Sequence, residues 1–517
     1  MKKLLSIILL VAMLCTSFLT ACGGGGGTGT TDEINYDIDL SKKPTLSILM
    51  PSSGKTIDAV TSDPTVALIE TLTGYKAEYT QLPADAATTL NTILMDKEKY
   101  DVMKLTKDQF SDLVKKDMLL DITRALEVFA PDMLANISKE SWDVVTVDGK
   151  IYGIPERASS DNIENPIVLN YDLMLECGLD VPETLEEFEN VLATLTAKLG
   201  RPALTFDKFT PLVFAISAAF GIYTYWQEYD GEVLFYMNAP RYDEYVEYMH
   251  SLYTKGYIDI EVATNTASVA TNRFVNSFDN NASGAKAAAY ACSLWTVPAI
   301  VTGLGQKGIN TNGELKNELA YIRALKENAS DDEKVYRSSG YTYITAIPYY
   351  MADRAGYALD WMNSKIKDTD TEDNFRQIVL GTENVHWTKT SDGNYMPINP
   401  AFDTEKNDAS YYMTGSNETK YTQYWLARVR KQPELFRAWS ELMDGADEVG
   451  VTNIVDFTPP IDAYNTNRSN IETNAQDWFY IMLKEGTSKL GEYQSKLNGQ
   501  YKCSDATDAI NSWYNNK

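Results

Sequence analysis

From Pro44 onward, short apolar runs alternate with stretches in which apolar residues recur every three or four positions, the two periods that separate strands from amphipathic helices. Residues 45–50 (Thr-Leu-Ser-Ile-Leu-Met) predict a strand, 66–73 a helix closed by Gly74, and 75–79 a second strand. The same rhythm predicts a helix over 88–97, a strand over 100–103 and a helix over 107–116. Alternation of this kind favours parallel sheets covered by helices on both faces. Thr184, with Glu187 three residues on, carries the signature of a capping box, and the helix it opens places Phe188, Val191, Leu192, Leu195 and Leu199 on one face. A strand over 202–206 ends at Asp207, and a helix over 242–255 aligns Tyr245, Met249 and Leu252. The lack of any repeat of about 20 to 50 residues argues against solenoids and propellers.

The first 21 residues break the pattern. Lys2 and Lys3, an apolar run over 4–14 and small residues thereafter follow the three-part plan of a secretory signal. The Gly/Thr-rich stretch behind it has no apolar face to bury, so residues 22–44 are expected to form a flexible tether. A length of 517 residues suggests roughly two to four domains. With 46 basic against 72 acidic residues the formal charge is -26, a surface that repels a phosphate backbone and argues against nucleic acid as a partner. Two histidines, His250 and His386, cannot build a histidine cluster. Once Cys15 and Cys22 are set aside with the front end, Cys177, Cys292 and Cys503 allow at most one disulfide and show no metal-type spacing. The 33 tyrosines and 9 tryptophans exceed what a routine core needs and suit the gripping of amphipathic ligands.

Enzyme motifs are present only in fragments. Ser52-Ser53-Gly54-Lys55 and Ser160-Asp161-Asn162 match two of the three signatures of penicillin-recognising enzymes, and the third is missing. Gly303-Leu304-Gly305-Gln306-Lys307-Gly308 follows a helical tract instead of a strand, which predicts a helix end and not a dinucleotide loop. Asp368, Asp370, Glu372 and Asp373 lack the glycine and distal glutamate of a calcium loop, so they are expected to solvate and cap the helix over 375–380. Among 72 acids some pair always suits glycoside hydrolysis, so that reaction stays open.

Two resemblances then join these observations. Leu19-Thr20-Ala21-Cys22 resembles the lipobox of bacterial lipoproteins, which implies that Cys22 is acylated and becomes the new N-terminus, with two hydrocarbon chains for stable anchoring. Along the rest of the chain, Asp148-Gly149-Lys150-Ile151-Tyr152-Gly153-Ile154-Pro155, Gly178-Leu179-Asp180-Val181-Pro182-Glu183-Thr184, Leu252-Tyr253-Thr254-Lys255-Gly256-Tyr257-Ile258-Asp259, Gly284-Ala285-Lys286-Ala287-Ala288-Ala289 before Trp295, and Val385-His386-Trp387 resemble, in order and spacing, family 1 extracellular solute-binding proteins of carbohydrate ABC importers, the maltose and oligosaccharide group.

The resemblance implies an α/β, two-lobed periplasmic-binding-protein-like (type II) fold with discontinuous lobes and a hinge of crossing segments. It places 1–21 as the lipoprotein signal, 22–44 as tether, 45–158 plus 340–398 as lobe 1, and 159–339 plus 399–517 as lobe 2. The crossings are expected just after Pro155, near 341–345 and near 397–400, with insertions over 302–333. It also implies a monomer on the extracytoplasmic face of the bacterial membrane, with a carbohydrate ligand and ABC permease subunits as partners, and without catalytic residues, cofactor or metal. Sugars need aromatic planes and a few polar tips. Trp295, just beyond the apolar stretch 287–292, stands where the family has a stacking tryptophan; Asp207 and Phe209 follow a strand in the place of a cleft loop, although Leu212 replaces an aromatic there. Arg157 after the first crossing, Lys104 and Thr106 after a strand, Tyr343 in the second crossing, and Trp226 and Trp387 complete the candidates, each with a packing or ion-pair alternative. An exported polysaccharide-active enzyme and a surface peptide-binding or sensor module remain as other readings.

Overall fold

The computed structural model describes residues 33–83, 86–157, 162–308, 310–311, 314–315 and 319–517. The signal, Cys22 and the first part of the tether lie outside the described residues, as do Ser160 and Asp161. The strands that matter for the site are β1 (Leu46–Met50), β2 (Ala77–Gln81), β3 (Val102–Leu105), β4 (Ile154–Arg157), β5 (Ile167–Asn170), β6 (Leu204–Thr205), β7 (Ala289–Ala291), β8 (Leu319–Ile322) and β9 (Tyr341–Ala346). They form two sheets, in the orders β2-β1-β3-β9-β4 and β8-β5-β7-β6.

In the first sheet β1 runs parallel to β2 and β3, while β9 runs antiparallel to both β3 and β4. The expected strand over 75–79 begins two residues later because Tyr75 is buried ahead of it, its hydroxyl donating to Asp360 at 2.8 Å. The strand expected over 100–103 shifts likewise, since the Asp101 carboxylate is occupied by the Ser47 N–H at 2.8 Å and by Arg354. Behind β3 comes α1 (Lys107–Lys115), whose start is fixed by a capping box between Thr106 and Gln109 and whose Phe110 and Leu113 enter the core.

In the second sheet β7 pairs parallel with β6 and antiparallel with β5. The capping box at Thr184 and Glu187 opens α2 (Leu185–Leu199) as expected. It packs in a core with α3 (Tyr242–Thr254) and the C-terminal segment from Val455 onward. Part of the tyrosine surplus is spent here, Tyr236, Tyr242 and Tyr245 being fully buried, so the aromatic count overstates the surface free to grip a ligand. Cys177, Cys292 and Cys503 are free thiols.

Chain crossings join the two sides. β4 ends in the first sheet and β5 opens in the second; β8 lies in the second and β9 returns to the first. No crossing occurs at 397–400. That stretch closes a hairpin, Trp387–Lys389 against Tyr395–Pro397, within the first core. Phe402, Tyr412, Tyr421, Tyr424 and Ala427 pack in the same core, so the first lobe runs on past the expected boundary at 398. The chain leaves it along α4 (Tyr421–Arg430), whose Val429 joins Leu294, Val297 and, from α5 (Pro433–Met443), Leu435 in a small bridging core. The long helix α6 (Asp462–Glu485) then lies against α3 in the second lobe. Among the described residues, no helix is long and apolar enough to cross a membrane.

Candidate functional site

Three cavities follow the start of β9, of about 520, 360 and 210 Å³, the first two where the lobes meet and the third walled by the first lobe. The first and second share Ser338, Tyr341 and Thr342, and the second and third share Tyr343, so they adjoin one another along β9 as one candidate cleft. In the largest, Glu164 and Trp295 face Trp425 and Arg428 of α4. Local folding explains why Trp295 is on show. Ser293 caps the short 3-10 turn Leu294–Thr296 by accepting the Trp295 N–H, Leu294 is driven wholly into the core, and the next side chain must point outward. Trp295 is 37% exposed, and its ring stands edge-on to that of Trp425, 5.3 Å between centroids at 85°.

Glu164 is tied to the same turn, its carbonyl accepting the Leu294 N–H at 2.6 Å. Its carboxyl accepts hydrogen bonds from the Trp295 indole, Asn162 and Ser338, but burial outweighs them and pushes its pKa up. Arg428 donates through Nη2 to the Lys406 carbonyl at 2.6 Å, while its Nη1 is buried without a partner. Desolvation draws the guanidinium pKa down.

The second cavity is walled by the start of α1 and by Asp456 and Arg468. Here the lobes are clasped: Lys107 Nζ donates to the carbonyls of Val455 at 2.8 Å and Asp456 at 3.0 Å, and Arg468 pairs with Asp108 at 3.2 Å. Burial takes the Lys107 pKa down to about 8. The Asp456 carboxyl, raised by burial, accepts from Ser339 Oγ at 2.8 Å and Asn453 Nδ2 at 2.9 Å. The third cavity lies between Ser52, Ser53 and Tyr411, with the Lys55–Asp408 ion pair at its edge.

Of the sequence candidates, Trp295, Tyr343 and Thr106 line the cleft. Lys104 does not. It is 0% exposed, bound to Glu156 at 2.8 Å and donating to the carbonyls of Ser410, Tyr411 and Met413, with its ammonium 4.9 Å from the Tyr343 ring centroid. It therefore supports Tyr343 and the 410–413 segment from below. Arg157 braces the hinge, its Nε donating to the Ser339 carbonyl at 2.8 Å and its guanidinium lying 5.6 Å from the Tyr341 ring and 6.0 Å from that of Phe457. Asp207 folds a turn, accepting from the Phe209 N–H at 2.8 Å and Thr210 Oγ1 at 3.1 Å; Phe209 is 64% exposed, and neither lines these cavities. Trp226 and Trp387 are corrections: at 1% and 4% exposed they are core, the first against Phe235 and Tyr464, the second against Tyr395 with its Nε1 bonded to the Gly381 carbonyl at 3.0 Å.

Glu164, Tyr341, Trp425 and Arg428 were not singled out from sequence. Glu164 and Tyr341 flank crossings that sequence did place, whereas Trp425 and Arg428 share a helix face that only the tertiary fold turns toward the cleft. Lys55 is paired with Asp408 and Ser53 with Gln81, and Gly308, at φ 71°, follows the helix Val297–Gln306. In the acidic loop Glu372 pairs with Lys367 and Asp373 with Arg376, and the Asp373 side chain makes no capping bond to the helix Asn374–Leu380. Among the described residues no cluster of His, Cys, Asp and Glu suits a metal ion.

Two α/β lobes joined by crossing segments around an aromatic-lined cleft define the fold of a hinged solute-binding protein. Solved structures agree: an extracellular solute-binding protein from Bifidobacterium longum subsp. infantis superposes with a TM-score of 0.65 at 16% identity, covering 92% of this chain and 98% of that one. The substrate-binding protein FusA of a Streptococcus pneumoniae ABC transporter, in complex with kestose, gives 0.61 at 16% identity over 91% and 99%. No family model matches the chain. By sequence it belongs to the family of the uncharacterized protein in the butB 5′ region of Niallia circulans, 30% identical over 278 residues, which are 53% of this chain and 99% of that protein.

Proposed function

We propose that the protein is the substrate-binding component of an ABC importer, that it captures an oligosaccharide in the cleft by closure of the lobes, and that it hands the ligand unchanged to a membrane permease. In this reading it acts as a monomer on the extracytoplasmic face of the membrane, tethered through lipid on Cys22. The observation that carries the reading is the aromatic corner of Trp295 and Trp425 set beside Glu164 and Arg428 between two lobes. A sugar ring offers a C–H face that stacks on an indole and an edge of hydroxyls that needs donors and acceptors together. Buried between the lobes, such a ring makes more contacts in the closed state than in the open one, which is what lets ligand binding shift the hinge. FusA, with its kestose, supports the ligand class by analogy of fold.

The test is a thermal-shift screen of the folded body against neutral oligosaccharides, uronate oligosaccharides and peptides. A true ligand at about 100 times its Kd stabilises by about 2.7 kcal/mol. Stabilisation by an oligosaccharide that is recovered intact upholds the reading. Stabilisation by peptides alone, or recovery of shortened sugars, contradicts it.

A further inference from the structure

Several charged groups along the cleft are committed to one another, and Lys107 and Asp456 are held by neutral partners across the lobe contact. Lys55 is paired with Asp408, Lys431 with Asp403 and Arg468 with Asp108. Glu164 and Arg428 differ. Both line the first of the three cavities, and among the described residues neither is joined to an opposite charge or to the other. Glu164 meets only uncharged donors, and Arg428 keeps a buried N–H without a partner, a costly arrangement that native proteins rarely leave standing.

We infer that Glu164 and Arg428 are a charge-selective pair that tunes the cleft to a neutral sugar ring and against an acidic one. The inference rests on the carbohydrate reading above. A hydroxyl both donates and accepts, so vicinal hydroxyls satisfy a carboxylate and a guanidinium of one cavity at once. A uronate carboxylate only accepts. Its attraction to Arg428 is offset by repulsion from Glu164, while the cost of removing its own charge from water remains. The chain's net charge of -26 acts in the same direction.

The experiment is calorimetric titration of the intact protein with the neutral oligosaccharide selected in the screen and with the same sugar after oxidation of its primary hydroxyls to carboxylates. The wild type binds the neutral form about tenfold or more tightly. Glu164→Gln, nearly isosteric, erases or reverses that preference, because Arg428 is then unopposed. Arg428→Gln weakens both sugars and widens the gap. Equal binding of the two sugars by the wild type overturns the pair, as does an unmoved ratio in a Glu164→Gln protein with a normal melting curve. Should that variant fail to fold, the Arg428→Gln ratio decides, and no widening overturns the pair. Failure of every oligosaccharide to bind the wild type is a separate outcome that removes the carbohydrate reading itself.

Discussion

Tryptophan alone is ambiguous in a sequence, because its large face serves a core and a sugar equally well. The exposure of Trp295 was legible because an apolar strand, β7, ends just before it and a serine-capped turn must then expose the second residue. The burial of Trp226 and Trp387 was not, since nothing local announces that Phe235 and Tyr464, or Tyr395, close over them. The contrast is measurable. Trp295→Ala is expected to abolish the ligand-induced thermal shift while leaving the ligand-free melting temperature nearly unchanged. Trp226→Ala is expected to cost about 3–5 kcal/mol of stability in urea titration through the cavity it leaves. A ligand shift that survives in Trp295→Ala would remove that ring from the site.

Elements were read well where local chemistry sets them. The capping box at Thr184, the faces of α2 and α3, and the strand rhythm of the first hundred residues follow from spacing, with shifts of a residue or two where Tyr75 and Asp101 make tertiary bonds ahead of their strands. The third crossing was placed about 25 residues early, near 397–400, because α4 divides its apolar face between two cores, which leaves no single stripe to detect. Under the cleft, β3 and β4 are joined by the buried pair Lys104–Glu156, with Lys365 donating to the Tyr412 carbonyl at 2.5 Å beside it. Burial raises the Glu156 pKa and lowers that of Lys104, so neither charge is tolerated without the other. Glu156→Gln should cost about 3–5 kcal/mol in chemical denaturation, because it strands buried ammonium charge; a loss below about 1 kcal/mol would mean that the pair is dispensable. In the second lobe Asp259 accepts from Thr205 Oγ1 and Asn265 Nδ2, both at 2.9 Å, and pairs with Arg273. Burial is the largest single influence and would raise its pKa, but the hydrogen bonds together outweigh it and hold the value below normal. A folded pKa below the unfolded one gives stability that is present at neutral pH and lost as pH falls through the folded value. Asp259→Asn should therefore lower stability at pH 7 and flatten the acid limb of the stability profile, read by thermal melting from pH 7 to about pH 3.

At the scale of the molecule, the order of the short phrases led to a two-lobed hinged fold, and the structure places two sheets with crossing strands as that fold requires. The composition could not supply the cleft's charge pattern, because Glu164 and Arg428 are 264 positions apart in the chain and meet only through the bridging core. The clasp of Lys107 on the carbonyls at 455 and 456, together with Arg468 on Asp108, holds the lobes in contact beside the cleft, so a ligand enters a site whose walls are already near one another. Native mass spectrometry after incubation with an oligosaccharide mixture tests the central claim most directly. The account predicts one intact oligosaccharide held per chain without a covalent bond, and no such complex for Trp295→Ala. Cleaved sugars, a covalent adduct, or equal capture by the Trp295→Ala protein would contradict it.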